Sequence, residues 1–75
     1  MDFNELLKMH RQNAKLSQRA VAEMLGISLR GYQQYEQGLF EPNIEKLIKL
    51  ADMFGITVDE LIGHKLSKNS LVDAE

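Results

Sequence analysis

"QRAVAEMLGISLRGYQQYEQG", residues 18 to 38, decides the fold. Two short segments with apolar residues at helical spacing, Gln18 to Leu25 and Leu29 to Gln37, flank the tripeptide Gly26-Ile27-Ser28. Val21, Met24 and Leu25 share one face of the first, and Tyr32 and Tyr35 share one face of the second, so both faces are expected to point inward. Gly26 stands where a helix ends in left-handed backbone, and Ser28 stands where a hydroxyl caps the next helix. Two helices joined this tightly cross steeply and need a small residue at their closest approach, which Ala22 supplies.

The same grammar extends in both directions. Phe3, Leu6, Leu7 and His10 fall at i, i+3, i+4 and i+7, and Ile44, Leu47, Ile48 and Ala51 repeat the pattern, with Phe54 completing the stripe. Gly38, Gly55 and Gly63 close segments as Gly26 does, and Ser17, Asn43 and Thr57 open them; Thr57 with Glu60 forms a T-x-x-E capping box. Pro42 stops the third segment from running into the fourth. The expectation is an all-α, compact five-helix bundle with helices at about 2–13, 18–25, 29–37, 44–54 and 58–62. Residues 1–63 form one domain, and residues 64–75 are a fraying tail, a short helix or the start of a linker.

Composition narrows the functional class. The chain has 75 residues, 44% of them hydrophobic, so one small core is expected. No apolar run approaches a membrane span and no signal sequence opens the chain, which reads as soluble and cytoplasmic. Cysteine is absent, which excludes disulfides and thiolate chemistry. His10 and His64 have no carboxylate or hydroxyl in a catalytic arrangement, and neither metal-ligand spacing nor a phosphate-cradling glycine loop is present, so no enzyme, metal or cofactor is expected. His10 reads instead as a partly buried core histidine with its ring nitrogen satisfied. The net charge is −2, but residues 1 to 38 carry five cations against four acids and residues 39 to 75 carry four against seven. The first half can therefore hold a mildly basic face.

The outer face of the 29–37 segment is the unusual feature. Arg30, Gln33, Gln34 and Gln37 occupy i, i+3, i+4 and i+7, a polar stripe opposite the tyrosines with only one charge in it. Arginine matches O6 and N7 of guanine, and glutamine matches N6 and N7 of adenine, so the stripe reads as a major-groove surface carried on a helix-turn-helix. Leu29 beside it either borders the core or touches a thymine methyl. Gly31 is either tolerated near the helix start or lets the backbone approach a ligand closely.

"LSQRAVAEMLGISLRGYQQYEQG" followed by "PNIEKLIKLADMFGITVDEL" resembles the phage-repressor and Cro-like (XRE-type) DNA-binding domain, a lambda-repressor-like bundle with the helix-turn-helix at helices two and three. The resemblance runs from about residue 3 to residue 63. It implies a sequence-specific transcriptional regulator, most often a repressor, that binds a double-stranded operator as a homodimer. It places base contacts on Ser28, Leu29, Arg30, Gln33 and Gln34, and phosphate contacts on Arg11, Gln18 and Asn43. It also implies an ion pair between Arg11 and Glu36. Val58, Leu61 and Ile62 are the expected dimer surface, because little else in the second half is apolar. The loop after helix three carries Glu41 where relatives commonly carry bases. That acid, with the acidic second half, motivates an alternative: the same bundle used as an antitoxin-like or antirepressor-binding module with a protein partner.

Overall fold

The computed structural model describes residues 1–63, all of whose regular elements are helices: α1 (Phe3–Asn13), α2 (Gln18–Leu25), α3 (Leu29–Gln37), α4 (Ile44–Phe54) and α5 (Val58–Ile62). The expected elements are all present, with only the start of α1 shifted by one residue. The expectation for residues 64–75 lies outside the described residues.

Local chemistry sets the helix ends. Ser17, Ser28, Asn43 and Thr57 each accept a backbone N–H three residues on, at 2.9 to 3.0 Å. Glu60 reciprocates to the Thr57 amide at 2.9 Å and completes the capping box. Gly26 takes φ 73°, a value that costs a residue with a Cβ about 1 kcal/mol or more. That conformation turns the chain sharply enough for α3 to start three residues later, at Leu29. At Gly38 a second constraint is added, because a Cβ there would stand 3.3 Å from the side chain of Asn4 in α1. The same Asn4 amide donates to the Glu36 carbonyl at 3.4 Å, so α3 ends against α1.

The core is Leu7, Val21, Ala22, Leu25, Tyr32, Leu50, Ala51 and Leu61, drawn from all five helices. Tyr32 and Tyr35 meet edge to face, with ring centroids 6.2 Å apart. His10 donates from Nε2 to the Glu60 carbonyl at 3.1 Å and ties α1 to α5. Its ring is partly buried and satisfied, as expected.

Three apolar assignments are corrected. Met24 is exposed, because the inward face of α2 is filled by Val21, Ala22 and Leu25. Leu61 is fully buried and Val58 is packed on the core, so of the expected dimer surface only Ile62 lies open. A five-residue helix that closes a small bundle turns its central leucine inward. In α4 the inward residues are Leu50 and Ala51, flanked by Leu47 and Phe54, while Ile44 and Ile48 face out. The apolar stripe of α4 is wider than the surface that α1, α2 and α5 cover.

One polar cluster joins the first three helices. The Glu36 carboxylate accepts from Arg11 Nε at 2.6 Å, Arg11 Nη2 at 3.3 Å and Gln18 Nε2 at 2.9 Å, and also from the Tyr32 hydroxyl. Arg11 Nη1 donates to the Leu16 carbonyl at 2.9 Å. The two charged side chains are 11% and 5% exposed, so the pair is largely out of water. Burial alone would raise the Glu36 carboxyl, but hydrogen bonds from Arg11, Tyr32 and Gln18 outweigh it and hold the group below its ordinary value of 4.5. The bond to Glu36 raises the Arg11 guanidinium further, against the cost of burial. Burial and the neighbouring carboxylate push the Tyr32 phenol well up.

Removing one partner of a buried pair strands the other, so Glu36→Gln is expected to lower unfolding free energy by about 3 kcal/mol in a urea titration. Because the folded carboxyl lies below the unfolded one, its contribution is present above 4.5 and drains as pH falls through the lower, folded value. The urea midpoint should therefore drop as pH is taken below 4.5, and Glu36→Gln should flatten that acid slope. Leu61→Ala is expected to cost about 3 kcal/mol in the same assay, as a cavity in the core does and a truncated surface leucine does not.

Candidate nucleic-acid interface

The α3 helix packs on α1 and α2, and its inner and outer faces do different work. The inner face carries Tyr32 and Glu36, both committed to the interior. The outer face carries Arg30, Gln33, Gln34 and Gln37, which line one open, shallow depression of about 300 Å³ together with Leu39. The sequence-predicted stripe is thus brought together as a single surface. Arg30, Gln34 and Gln37 make no side-chain hydrogen bond to the other described residues, so their donors and acceptors are available to a ligand.

Gln33 is more constrained. Its Nε2 donates to Gln18 Oε1 at 3.2 Å, and Gln18 Nε2 donates in turn to Glu36. A chain of amides therefore runs from the outer face of α3 to the buried carboxylate. Gln18 was expected to touch phosphate, yet both ends of its amide are engaged within the protein. What it leaves toward solvent is the amino terminus of α2, whose first amides have no partner within the helix. Arg11 forms the expected ion pair, but its guanidinium is buried and bonded to Glu36 and Leu16, so the structure makes it a support for α3 in place of a phosphate contact.

Ser28 sits at the amino end of α3 with its Oγ accepting from the Gly31 amide at 3.0 Å, which leaves the hydroxyl proton free to donate outward. Gly31 gains a local reason from the same geometry: a Cβ there would stand 3.2 Å from Ser28 Oγ and crowd the cap. Leu29, the first residue of α3, is half-buried. Asn43 caps α4 through Oδ1, and Glu45 occupies the first turn behind it. A carboxylate there already complements the helix dipole and opposes a second anion.

One residue of this surface, Leu39, was not assigned from sequence. Gln37 lies in the stripe but beyond the base-contacting set, and it joins the depression from the last turn of α3. Leu39 is exposed at its edge, held by its own amide bonding back to the Gln34 carbonyl at 3.0 Å. The sequence signal for Leu39 is the glycine before it, since a left-handed Gly38 directs the next residue back over the helix end.

The arrangement is that of an α-helix offering paired donors and acceptors along its outer face, the element that enters a major groove. Among the described residues no helix is long and apolar enough to cross a membrane.

Known proteins share this architecture. A family profile described as Helix-turn-helix matches residues 7–61. The chain is 40% identical over 60 residues to the SPbeta prophage-derived uncharacterized HTH-type transcriptional regulator YonR of Bacillus subtilis (strain 168), covering 80% of this chain and 56% of that protein. It is 40% identical over 63 residues to the cryptic phage CTXphi transcriptional repressor RstR of Vibrio cholerae, covering 84% of this chain and 56% of that one. The chain thus spans little more than half the length of these two curated relatives. Its fold superposes with a TM-score of 0.77 and 28% identity on the P22 c2 repressor crystallised with a synthetic operator, covering 87% of this chain and 98% of that one. With the cap, turn and two-faced α3 in place, the chain belongs to the helix-turn-helix family of phage-repressor and Cro-like (XRE-type) domains.

Proposed function

We propose that this chain is a sequence-specific, double-stranded DNA-binding transcription regulator, a repressor acting in the cytoplasm, which reads the major groove with α3. The observation that carries the proposal is the division of α3 into a tethered inner face and an outer face whose arginine and glutamines share one open depression. The names of the relatives, regulators and a repressor among them, support the same reading.

The roles divide by geometry. Arg30 and Gln34 are the base readers, with Gln37 and Leu39 extending the read toward the carboxyl end of α3. Ser28 donates to a base edge or phosphate at the amino end. Gln33 reads with one part of its amide while Gln18 fixes its orientation. The amino termini of α2 and α4, the latter at Asn43, meet phosphates through backbone N–H groups, which sets register without sequence preference. Two such chains related by a two-fold axis would present their α3 helices to grooves about 34 Å apart.

The test is selection of bound duplexes from a random pool by the full chain. The parent is expected to enrich a near-palindromic sequence, and Arg30→Ala or Gln34→Ala to relax one position per half-site by roughly 1–3 kcal/mol. Unchanged sequence preference in both variants would contradict the assignment. Glu41→Lys, which replaces an exposed acid in the loop after α3, should strengthen binding to all duplexes alike and steepen the salt dependence by about one counterion per chain. Filter binding across a salt series reads that change directly.

A further inference from the structure

A second depression, of about 290 Å³, lies where the start of α1 meets the end of α3 and the loop that follows, apart from the reading face. Its walls are aromatic: Phe3 and Tyr35, both half-buried, and Phe40, which stays 59% exposed. Phe40 belongs neither to the core nor to the side chains packed on it, so burial does not explain its place. The polar groups beside the rings are acceptors. Asp2 and Glu41 are both exposed, and among the described residues the one salt bridge is the Arg11–Glu36 pair, so neither acid is matched by a cation there. Asn4 spends an amide N–H on the Glu36 carbonyl at 3.4 Å and keeps its Oδ1. No lysine, arginine or histidine lines the space.

We propose that this depression is a binding site for a small organic cation, an alkylammonium group held against the three rings with the two acids at its edge. Three features select that class. An aromatic face carries negative potential and attracts a cation that comes within about 6 Å of the ring centre. The volume suits one ammonium head group with its carbons, at the lower bound of small-molecule sites. A neutral apolar ligand would use the rings and leave the acids unmatched. A divalent metal is the poorer fit, since no three of His, Cys, Asp and Glu converge among the described residues and rings do not replace the oxygen ligands a hard cation requires.

The site meets the DNA reading at one point, and rests on that reading for this consequence alone. Glu41 stands in the loop after α3, where its charge opposes phosphate. A cation bound beside it offsets that charge reversibly.

Tetramethylammonium is the probe, because it has no N–H to bond elsewhere and its methyl protons report contact with rings. Titrated into the full chain at constant ionic strength, it should move the amide resonances of residues 2–4, 35 and 38–41, with a dissociation constant on the order of 1 mM. Its own methyl resonance should move upfield, as protons over aromatic faces do. tert-Butyl alcohol, neutral and close in shape, should bind at least roughly fivefold more weakly. Phe40→Leu keeps apolar bulk without a ring and Glu41→Gln removes one charge, and each should weaken binding roughly threefold. Both positions are exposed, and unchanged far-ultraviolet circular dichroism verifies that the variants fold. Equal binding of the alcohol, or parent-like binding by Phe40→Leu, overturns the cation site. In filter binding, the same probe should tighten the parent on duplex roughly twofold and leave Glu41→Gln unmoved; an equal response from both overturns the link to Glu41. If the methyl shift appears and no duplex is bound, the site stands and the DNA reading falls. If duplexes are selected and the shift is absent, the site alone is wrong.

Discussion

A single carboxylate sets the attitude of α3. Glu36 accepts hydrogen bonds from α1 through Arg11, from α2 through Gln18 and from its own helix through Tyr32. A buried carboxylate is tolerable only when its lone pairs are filled and a cation faces it, and here both conditions hold at once. Because the donors come from different helices, the carboxylate can be satisfied in one orientation of α3 and not in neighbouring ones. The apolar contacts of Val21, Leu25 and Tyr32 hold the helices together without fixing rotation as sharply, since hydrophobic burial is non-directional. The directional bonds settle what packing leaves loose.

That constraint has a consequence on the opposite side of α3. With Tyr32 and Glu36 turned inward, helical geometry obliges Arg30, Gln34 and Gln37 to turn outward together. Gln33 stands at the boundary, bonded through Gln18 to the buried cluster. The outer face of α3 is thus wired to the core by amides, and the first turn of the helix is held by the Ser28 cap on the Gly31 amide. A helix held in one place confines the ordering that binding requires to the outward side chains themselves. The acids at Glu41 and Glu45 work the other way and temper phosphate attraction near the start of α4.

The limits of α2 to α5 were legible in the sequence because each is written by a residue with one physical use, a hydroxyl or amide side chain at the start and a glycine at the end, whereas α1 opens on Asp2 and ends at Ala14. The outward stripe of α3 was legible for a similar reason, since an arginine and three glutamines at helical spacing opposite two tyrosines leave that face nothing apolar to bury. The Arg11 and Glu36 pair was reached through family resemblance, and its convergence with Gln18 and Tyr32 emerged only from coordinates, because 25 residues separate its two charges. Periodicity misjudged Ile44, Ile48 and Met24, as an apolar stripe records where a helix could be buried and not how much neighbour exists to bury it. Leu61 erred in the opposite sense. A short helix offers too few residues for its pattern to distinguish inside from outside.

The account turns on which face of α3 meets DNA. The most direct measurement is the set of intermolecular nuclear Overhauser contacts between the full chain and a duplex that it selects. The account predicts contacts from base protons to the side chains of Arg30, Gln34, Gln37 and Leu39, with none to Arg11, Tyr32 or Glu36. Contacts centred on α4 and α5, with the outer face of α3 untouched, would contradict it.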